Sequence, residues 1–184
     1  MVLPQLSIRR PVLATVVSLI IVAGGTNSAP DSGRAAPKAK AVLKDSTGKE
    51  VGTVEAEKVF DGLRIIVKVH DLPGGDFGIH VHAGDSCGSG EGSEAFAAAG
   101  PHFDPQARGI HAGLNGPGHA GDLGNISVTA DGKGKLDVTS KDLTLEGKMS
   151  ILGKPIVVHS HSDNLTDKPE NGGSGGRLAC GVLQ

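Results

Sequence analysis

The sequence predicts an all-β fold of about eight antiparallel strands. Short apolar runs alternate with turns rich in Gly, Pro and Asp along most of the chain. The 184 residues include 29 Gly and 4 Phe, without Tyr or Trp, so Val, Ile, Leu and Ala must form the core. This composition favours short strands over long helices, and the length fits one well-buried domain.

Four strands are predicted in the first half of the chain. The stretch KAVLKDSTGKEVGTVEAEKVFDGLRIIVKVHDLPGGDFGIHVH contains four apolar runs, interrupted at DSTGKE, DG and LPGG. Gly, Pro and Asp provide the dihedral angles that tight hairpin turns need. We therefore expect each run to pair with the next as antiparallel strands.

A second set of strands is predicted from NISVTADGKGKLDVTSKDLTL, KPIVVHS and GRLACGVL. Two long segments, residues 83–121 and 160–176, are too rich in Gly, Pro or polar residues to continue the pattern. Long segments without regular structure are often functional loops. Together the strands predict a barrel or a sandwich with two functional loops.

The first residues differ from the rest of the chain. Arg9 and Arg10 precede the apolar run PVLATVVSLIIVAGG, which is followed by small and polar residues. This pattern is typical of an export signal, and the run is shorter than the roughly 20 residues that span a bilayer. We assign residues 1–29 to a cleaved signal, 30–38 to a flexible linker and 39–184 to the folded domain. A permanent membrane span is the weaker interpretation, and the export route stays open.

The formal charge of −2 is too small for a polybasic surface. It argues against nucleic acid as a partner and favours a small soluble ligand. The chain has two cysteines, Cys87 and Cys180. An exported chain meets an oxidising compartment, so we predict a disulfide between them, the alternative being two buried free thiols.

Two histidines one residue apart occur in GIHVH. Side chains alternate along a strand, so His80 and His82 share one face while Ile79 and Val81 occupy the other. This pair alone fits half-exposed strand histidines as well as it fits metal ligands.

Histidines are also concentrated beside the two long loops. With one aspartate they give seven candidate ligands: His80, His82, His102, His111, His119, His159 and Asp122. Imidazole nitrogen suits zinc and copper. Two four-coordinate ions would need one shared ligand, which a bridging imidazole can provide.

Five separated motifs, GIHVH, GPHFDP, GHAGDLGN, VVHSHSDN and GGRLACGV, occur in the order and at roughly the spacing seen in copper,zinc superoxide dismutases. The chain resembles this family from about Lys40 to its C-terminus. The resemblance implies an eight-stranded antiparallel Greek-key barrel of immunoglobulin-like type, with Cu and Zn as cofactors.

The resemblance also implies a role for each motif residue. The copper ligands would be His80, His82, His102 and His159, and the zinc ligands His102, His111, His119 and Asp122. The bridge, His102, would release copper and take up a proton upon reduction, with zinc polarising and positioning it. Further positions match the carboxylate that links a copper ligand to a zinc ligand (Asp163), the anion-binding arginine (Arg177) and the family disulfide (Cys87 and Cys180). The catalytic residues would be His102 and Arg177.

The implied activity is conversion of superoxide to O2 and H2O2 at copper beside a structural zinc. The other interpretation is a non-enzymatic copper-binding or copper-delivery module on the same fold. All seven ligands and Arg177 are present, which favours the enzyme because a delivery module needs neither a bridged zinc nor an anion-orienting arginine.

The stretch DNLTDKPENGGSGG resembles the exported bacterial members of the family, which implies a periplasmic or secreted monomer or homodimer defending against oxidants outside the cytoplasm. Phe77 stands where His is usual and Ile79 where Phe is common, and these departures affect packing near the copper strand and not the ligand set. His70 and His161 match no family ligand, and we interpret them as ordinary surface or loop histidines.

Overall fold

The computed structural model describes residues 37–88 and 95–184. The predicted signal, residues 1–29, and the part of the predicted linker before residue 37 lie outside these ranges. Among the described residues, no helix has the length and apolar character needed to cross a membrane.

The predicted all-β class is confirmed. Within the described ranges eight strands form: β1 Lys38–Asp45, β2 Glu50–Val59, β3 Gly62–Val69, β4 Gly75–Val81, β5 Asp122–Val128, β6 Gly134–Ser140, β7 Pro155–His159 and β8 Arg177–Val182. Among the described residues, three single-turn 3-10 helices occur in the connections, at Ala97–Ala99, Gly147–Met149 and Glu170–Gly173. The gaps between β4 and β5 and between β7 and β8 are the two predicted functional loops.

The strands close into an antiparallel barrel in the order β1-β2-β3-β6-β5-β4-β7-β8. Strand β3 pairs with β6 along its whole length, so the next strand, β4, must cross to the far side of β5. This is a Greek-key connection. The pairing of Lys44 with Cys180 and of Asp45 with Ala179 closes β1 onto β8, which decides for a barrel over a sandwich.

Aliphatic side chains fill the barrel. In β1 the buried positions alternate with exposed ones, as expected for a strand with one face in the core. Phe77 and Ile79, the two departures from the family pattern, are 7% and 0% exposed and belong to the main core. The barrel therefore accommodates both, and each such buried side chain contributes roughly 1.5–3 kcal/mol of transfer free energy.

Backbone hydrogen bonds hold the first long loop against the barrel. Phe103 N donates to the carbonyl of Val81, the last residue of β4, across 2.9 Å, and within the loop Gly84 N donates to Ala99 O across 2.8 Å. Cys87 in this loop is bonded to Cys180 in β8, which confirms the predicted disulfide and rules out free thiols. The loop is thereby fixed to the strand that begins at Arg177.

Candidate metal centre

The strand ends and the first long loop deliver the predicted ligands to one region. His80 lies in β4 and His82 directly after it, β7 ends at His159, and β5 begins at Asp122. His82 forms an isolated antiparallel bridge with His102, which brings the loop across the strand end. His80 and His82 are 0% and 1% exposed, so the interpretation as half-exposed strand histidines is wrong.

Four imidazoles form the first group. Ligand atoms of His80, His82, His102 and His159 all lie within 4.8 Å of one another, and all four residues are buried. His82 Nε2 and His159 Nε2 are 3.2 Å apart. An all-nitrogen set of this kind is suited to copper.

The second group lies beside the first and shares residues with it. It consists of His80, His102, His111 and Asp122, again with ligand atoms within 4.8 Å of one another. His119, a predicted zinc ligand, is not in this group, but its Nδ1 is 3.4 Å from Asp122 Oδ1. The Nδ1 atoms of His102 and His111 lie 3.0 and 3.1 Å from the same oxygen. Three imidazole nitrogens and a carboxylate oxygen therefore converge, a donor set suited to zinc.

Unpaired nitrogens show that these groups fit metal ions. Among the described residues three buried side-chain atoms have no hydrogen bond, and two of them are His80 Nδ1 and His111 Nδ1, the second close to Asp122 Oδ1 but without hydrogen-bond geometry. Buried polar atoms are nearly always paired. A metal ion in each group would satisfy them, His80 Nδ1 in the first and His111 Nδ1 in the second.

Backbone carbonyls fix the orientation of two rings. His82 Nδ1 lies 2.8 Å from the carbonyl of Gly100, so it carries the proton and donates, which leaves Nε2 as an electron-pair donor. His159 Nδ1 faces the carbonyl of Gly175 at 3.4 Å in the same sense. Both Nε2 atoms are thereby directed into the first group, as ligand-orienting contacts of metal sites do.

Asp163 connects the two groups. Its Oδ2 lies 2.9 Å from His80 Nε2 and its Oδ1 lies 2.9 Å from His111 Nε2. Asn125 in β5 holds Asp163 in place, accepting from its backbone N across 2.7 Å and donating to its carbonyl across 2.8 Å. A Cβ at Gly172 (φ 66°) would collide with the Asp163 carboxylate, so this position requires glycine.

The first group is neutral in the absence of metal. Burial lowers the pKa of His82 to about 3, of His102 to about 4 and of His159 to about 2. Burial likewise lowers the pKa of His80. Neutral imidazoles are the form that binds a metal ion, so protons compete weakly for this group at neutral pH.

His111 behaves differently. Burial lowers its pKa, but the neighbouring carboxylates of Asp122 and Asp163 outweigh burial and raise the pKa to about 9. Burial raises the pKa of Asp122, but contacts with His102 and His111 outweigh it and lower the pKa below the usual range. The second group therefore holds a proton on His111 at neutral pH, between two carboxylates.

An open pocket leads to the first group. His82, His102, His159 and Arg177 line it, together with the 3-10 turn that contains Glu170. The Arg177 guanidinium donates to the carbonyls of Phe96 and Gly100, the second across 2.6 Å. The carbonyl of Gly100 also accepts from His82 Nδ1. One carbonyl therefore contacts both the Arg177 guanidinium and a ring of the first group.

Sequence reasoning missed the contributions of backbone carbonyls and of Asn125. The carbonyls of Gly100 and Gly175 orient His82 and His159, but a carbonyl occurs in every residue and leaves no signal in the sequence. Asn125 is the last residue of the GHAGDLGN motif, and that position was the available signal.

A closed Greek-key barrel with two adjacent histidine-rich groups, joined by shared residues and by one carboxylate, defines a β-barrel protein with a two-metal centre. A sequence profile described as Copper/zinc superoxide dismutase matches residues 50–183. The chain belongs to the copper/zinc superoxide dismutase family.

Relatives and solved structures agree with this membership. A copper-zinc superoxide dismutase of Deinococcus radiodurans is 38% identical over 177 residues, which cover 92% of this chain and 96% of the relative. The corresponding protein of Escherichia coli K12 is 35% identical over 170 residues, covering 90% of this chain and 94% of the relative. The structure of the Cu/Zn superoxide dismutase from Brucella abortus superposes with a TM-score of 0.72 at 37% identity, covering 80% of this chain and 100% of that one.

Proposed function

We propose that this protein is an exported superoxide dismutase that converts two superoxide anions and two protons to O2 and H2O2. The observation that carries the proposal is the pair of adjacent buried ligand groups sharing His102, with one of them open to a pocket that Arg177 lines. Copper, when bound in the first group, supplies one-electron redox chemistry, and zinc in the second group supplies a fixed charge beside His102.

The ligand assignments follow from the ring nitrogens. Copper belongs with His80 Nδ1, His82 Nε2, His159 Nε2 and the pocket-side nitrogen of His102, since the other ring nitrogens of these residues face carboxylates or carbonyls. Zinc belongs with the nitrogens that meet at Asp122, from His102, His111 and His119. His80 Nε2 is occupied by Asp163, so its one remaining nitrogen serves the copper group.

Arg177 binds and orients the anion. Its guanidinium is held by two backbone carbonyls, so its planar fork is already positioned when a small anion enters. The fixed positive charge attracts superoxide locally, although the protein as a whole is negatively charged. His82, His102 and His159 line the same pocket as Arg177, so an anion that enters it lies beside both the rings and the guanidinium.

His102 is the proton carrier. Its Nδ1 lies 3.0 Å from Asp122, on the side of the second group, so the opposite nitrogen is the one that can hold a proton at the pocket and deliver it to the product. Burial lowers the pKa of His102 to about 4 in the metal-free protein, so this ring is neutral at neutral pH before a metal binds.

One assay tests the activity. The mature protein, loaded with copper and zinc, should accelerate the loss of superoxide, and metal analysis should find the two metals at about one each. His102→Ala should remove the activity and lower the content of both metals, whereas His161→Ala, a change at an exposed histidine outside both groups, should leave activity nearly unchanged. Copper binding without superoxide consumption would favour a copper-delivery module instead.

The place of action is outside the cytoplasm. The arginine pair followed by an apolar run in residues 1–29, and the disulfide that persists in an oxidising compartment, support export to the periplasm or the medium. Fractionation of cells that express the full chain should find the protein, shortened at its N-terminus, in the periplasm or medium. Full-length protein in the cytoplasm would contradict export.

A further inference from the structure

The zinc ligands His111 and His119 lie on a loop without strands of its own. Residues 104–121 contain neither strand nor helix, and Gly and Pro are frequent in them. A metal site requires its ligands to be held within a fraction of an ångström, and loops hold them less well than strands do. Something other than regular structure must fix this loop.

Arg108 closes the loop on itself. Its Nη1 donates to the carbonyl of Gly118 across 2.8 Å and to that of Gly116 across 3.3 Å. Arg108 is three residues before His111, and Gly118 directly precedes His119. The side chain thus joins two limbs of the loop. One limb, residues 108–111, ends at the zinc ligand His111, and the other, residues 116–119, ends at the zinc ligand His119.

The same guanidinium is fixed to the barrel. Arg108 Nη1 lies 2.8 Å from Asp142 Oδ2, and the two side chains are only 25% and 27% exposed. Asp142 lies two residues after the end of β6, and β6 supplies none of the proposed metal ligands. A charge pair at this distance that is partly shielded from water is screened less than a fully exposed surface pair.

Asn115 provides a second contact between the loop and the same segment of the barrel. Its Nδ2 donates to Thr139 O across 3.0 Å, and its Oδ1 accepts from Lys141 N across 2.7 Å. The loop is therefore fixed to residues 139–142 at two points, through Asn115 and through Arg108.

We propose that Arg108, anchored by Asp142, is a positioning residue for zinc: it holds the two limbs of the loop at the separation at which His111 and His119 meet Asp122. The proposal rests on the zinc assignment made above. Because the copper group takes its ligands from β4, from His82 directly after it, from the end of β7 and from His102, Arg108 governs zinc binding and leaves copper binding nearly unaffected.

The test compares Arg108→Met with wild-type protein in zinc binding and in the visible spectrum of cobalt(II) at the zinc site. Ligand-supporting contacts typically account for about 10–100-fold in metal affinity, so the variant should bind zinc at least about tenfold more weakly. Its cobalt spectrum should change, since the ligand geometry is altered, while copper affinity stays within about threefold. Unchanged zinc affinity and an unchanged cobalt spectrum in a folded variant would overturn the proposal.

Arg64→Met is the matched control. Arg64 forms a bidentate pair with Asp137 across β3 and β6, with both contacts at 2.8 Å, and lies on the barrel wall outside both ligand groups. It should lower stability without changing zinc affinity. An equal loss of zinc affinity in both arginine variants would mean that general destabilisation is responsible, which would also overturn the proposal.

Asp142→Asn keeps the proposal testable if Arg108→Met does not fold. It leaves the arginine and its two carbonyl contacts but removes the charge that anchors it, so zinc affinity should fall by less than in Arg108→Met. The double variant should bind zinc no more weakly than Arg108→Met alone, and additive losses would contradict the pairing. If the wild-type protein binds no zinc, the proposed function is wrong. If the wild type binds zinc and every variant binds it with the same affinity, only this inference is wrong.

Discussion

Asp163 and His80 form a fully buried pair, with Oδ2 of the carboxylate 2.9 Å from Nε2 of the ring. The other oxygen of the same carboxylate lies 2.9 Å from Nε2 of His111, whose side chain is equally buried. One side chain thus fixes a ring of the first ligand group relative to a ring of the second. Neither ring can turn without breaking a buried charge-assisted contact.

Asp163→Asn should weaken binding of both metals. An amide has a single acceptor oxygen, so it can accept from only one of the two rings, and its NH2 group faces the other. We expect a loss of about 10–100-fold in zinc affinity and a smaller loss for copper, measured by competition with a chromophoric chelator. Asp76→Asn, at an exposed carboxylate that accepts from Ser127, is the control and should change neither affinity. Equal metal affinities in Asp163→Asn and wild type would mean that the bridge does not orient the ligands.

Zinc and copper should differ in the protons they displace. At pH 7–8 the metal-free protein carries a proton on His111, whose pKa the carboxylates of Asp122 and Asp163 raise to about 9 against burial. His111 binds zinc through Nδ1, which must be unprotonated, so zinc binding should release about one proton. The release should vanish as the pH rises through about 9. Copper should release almost none, because burial already keeps its ligands neutral. Calorimetry in buffers of different ionisation enthalpy measures both values.

The same pKa values set how the stability of the metal-free protein depends on pH. For His82, His102 and His159 burial lowers the pKa below the usual 6.5 of a histidine, so the unfolded chain binds more protons and stability falls as the pH drops below about 6.5. For His111 the pKa is raised to about 9, so its contribution is complete below about 6.5 and is lost as the pH rises through 9. The melting temperature should therefore be highest near pH 6.5. A melting temperature that is flat from pH 5 to 9 would contradict these shifts.

The strands and the two long loops could be predicted from the sequence because their signals are local. Turn residues mark the ends of β1 to β4, and the alternation in GIHVH gave the facing of His80 and His82 directly. The closure of the barrel could not be predicted from local patterns, since it depends on the pairing of Lys44 with Cys180, far apart along the chain. The resemblance to a family supplied what local signals lacked.

The candidate ligands could be found from residue type and clustering, but their supports could not. His102 and Asp122 are conspicuous in the sequence, whereas the carbonyl of Gly100 is not, although it accepts from both His82 and Arg177. Arg108 shows the same difficulty, because an arginine in a polar loop is usually solvated and its two carbonyl partners lie on the opposite limb. Sequence reasoning identifies the chemistry of a site more readily than the contacts that hold it in shape.

Reduction of the disulfide should loosen the first long loop. The bond between Cys87 and Cys180 closes a sequence separation of 93 residues, and in the chain-entropy model a loop of about 100 residues is stabilised by roughly 4.7 kcal/mol. We expect a lower melting temperature and faster amide hydrogen exchange in the described parts of residues 83–121. The Cys87→Ser/Cys180→Ser variant should behave like the reduced protein. If reduced and oxidised forms melt together, the bond contributes nothing to folding stability.

Arg177 gives the prediction that bears most directly on activity. Both arginines of the predicted signal lie before Pro30, so cleavage there would leave a chain more negative than the formal charge of −2, which on average repels an anion. Attraction must therefore be local, and Arg177 lines the same pocket as His82, His102 and His159. Arg177→Glu should lower kcat/KM for superoxide by on the order of tenfold or more, since steering of this kind is worth 10–10³ in association rate. Arg177→Lys should lower it less, because it keeps the charge but cannot reproduce the planar fork that contacts Phe96 and Gly100.

Two controls separate this local effect from other causes. Arg64→Glu changes the net charge by the same amount, but on the outside of the barrel, and should reduce turnover only slightly. Pulse radiolysis of both variants measures the two turnover rates, and their difference gives the effect of the charge at the pocket. The wild-type rate should fall as salt is raised, and the rate of Arg177→Glu should respond less or in the opposite sense, because screening removes attraction in one protein and repulsion in the other. Copper and zinc contents should be equal in all variants. Turnover that is unchanged in fully metallated Arg177→Glu would remove the arginine from the mechanism and favour copper delivery over catalysis.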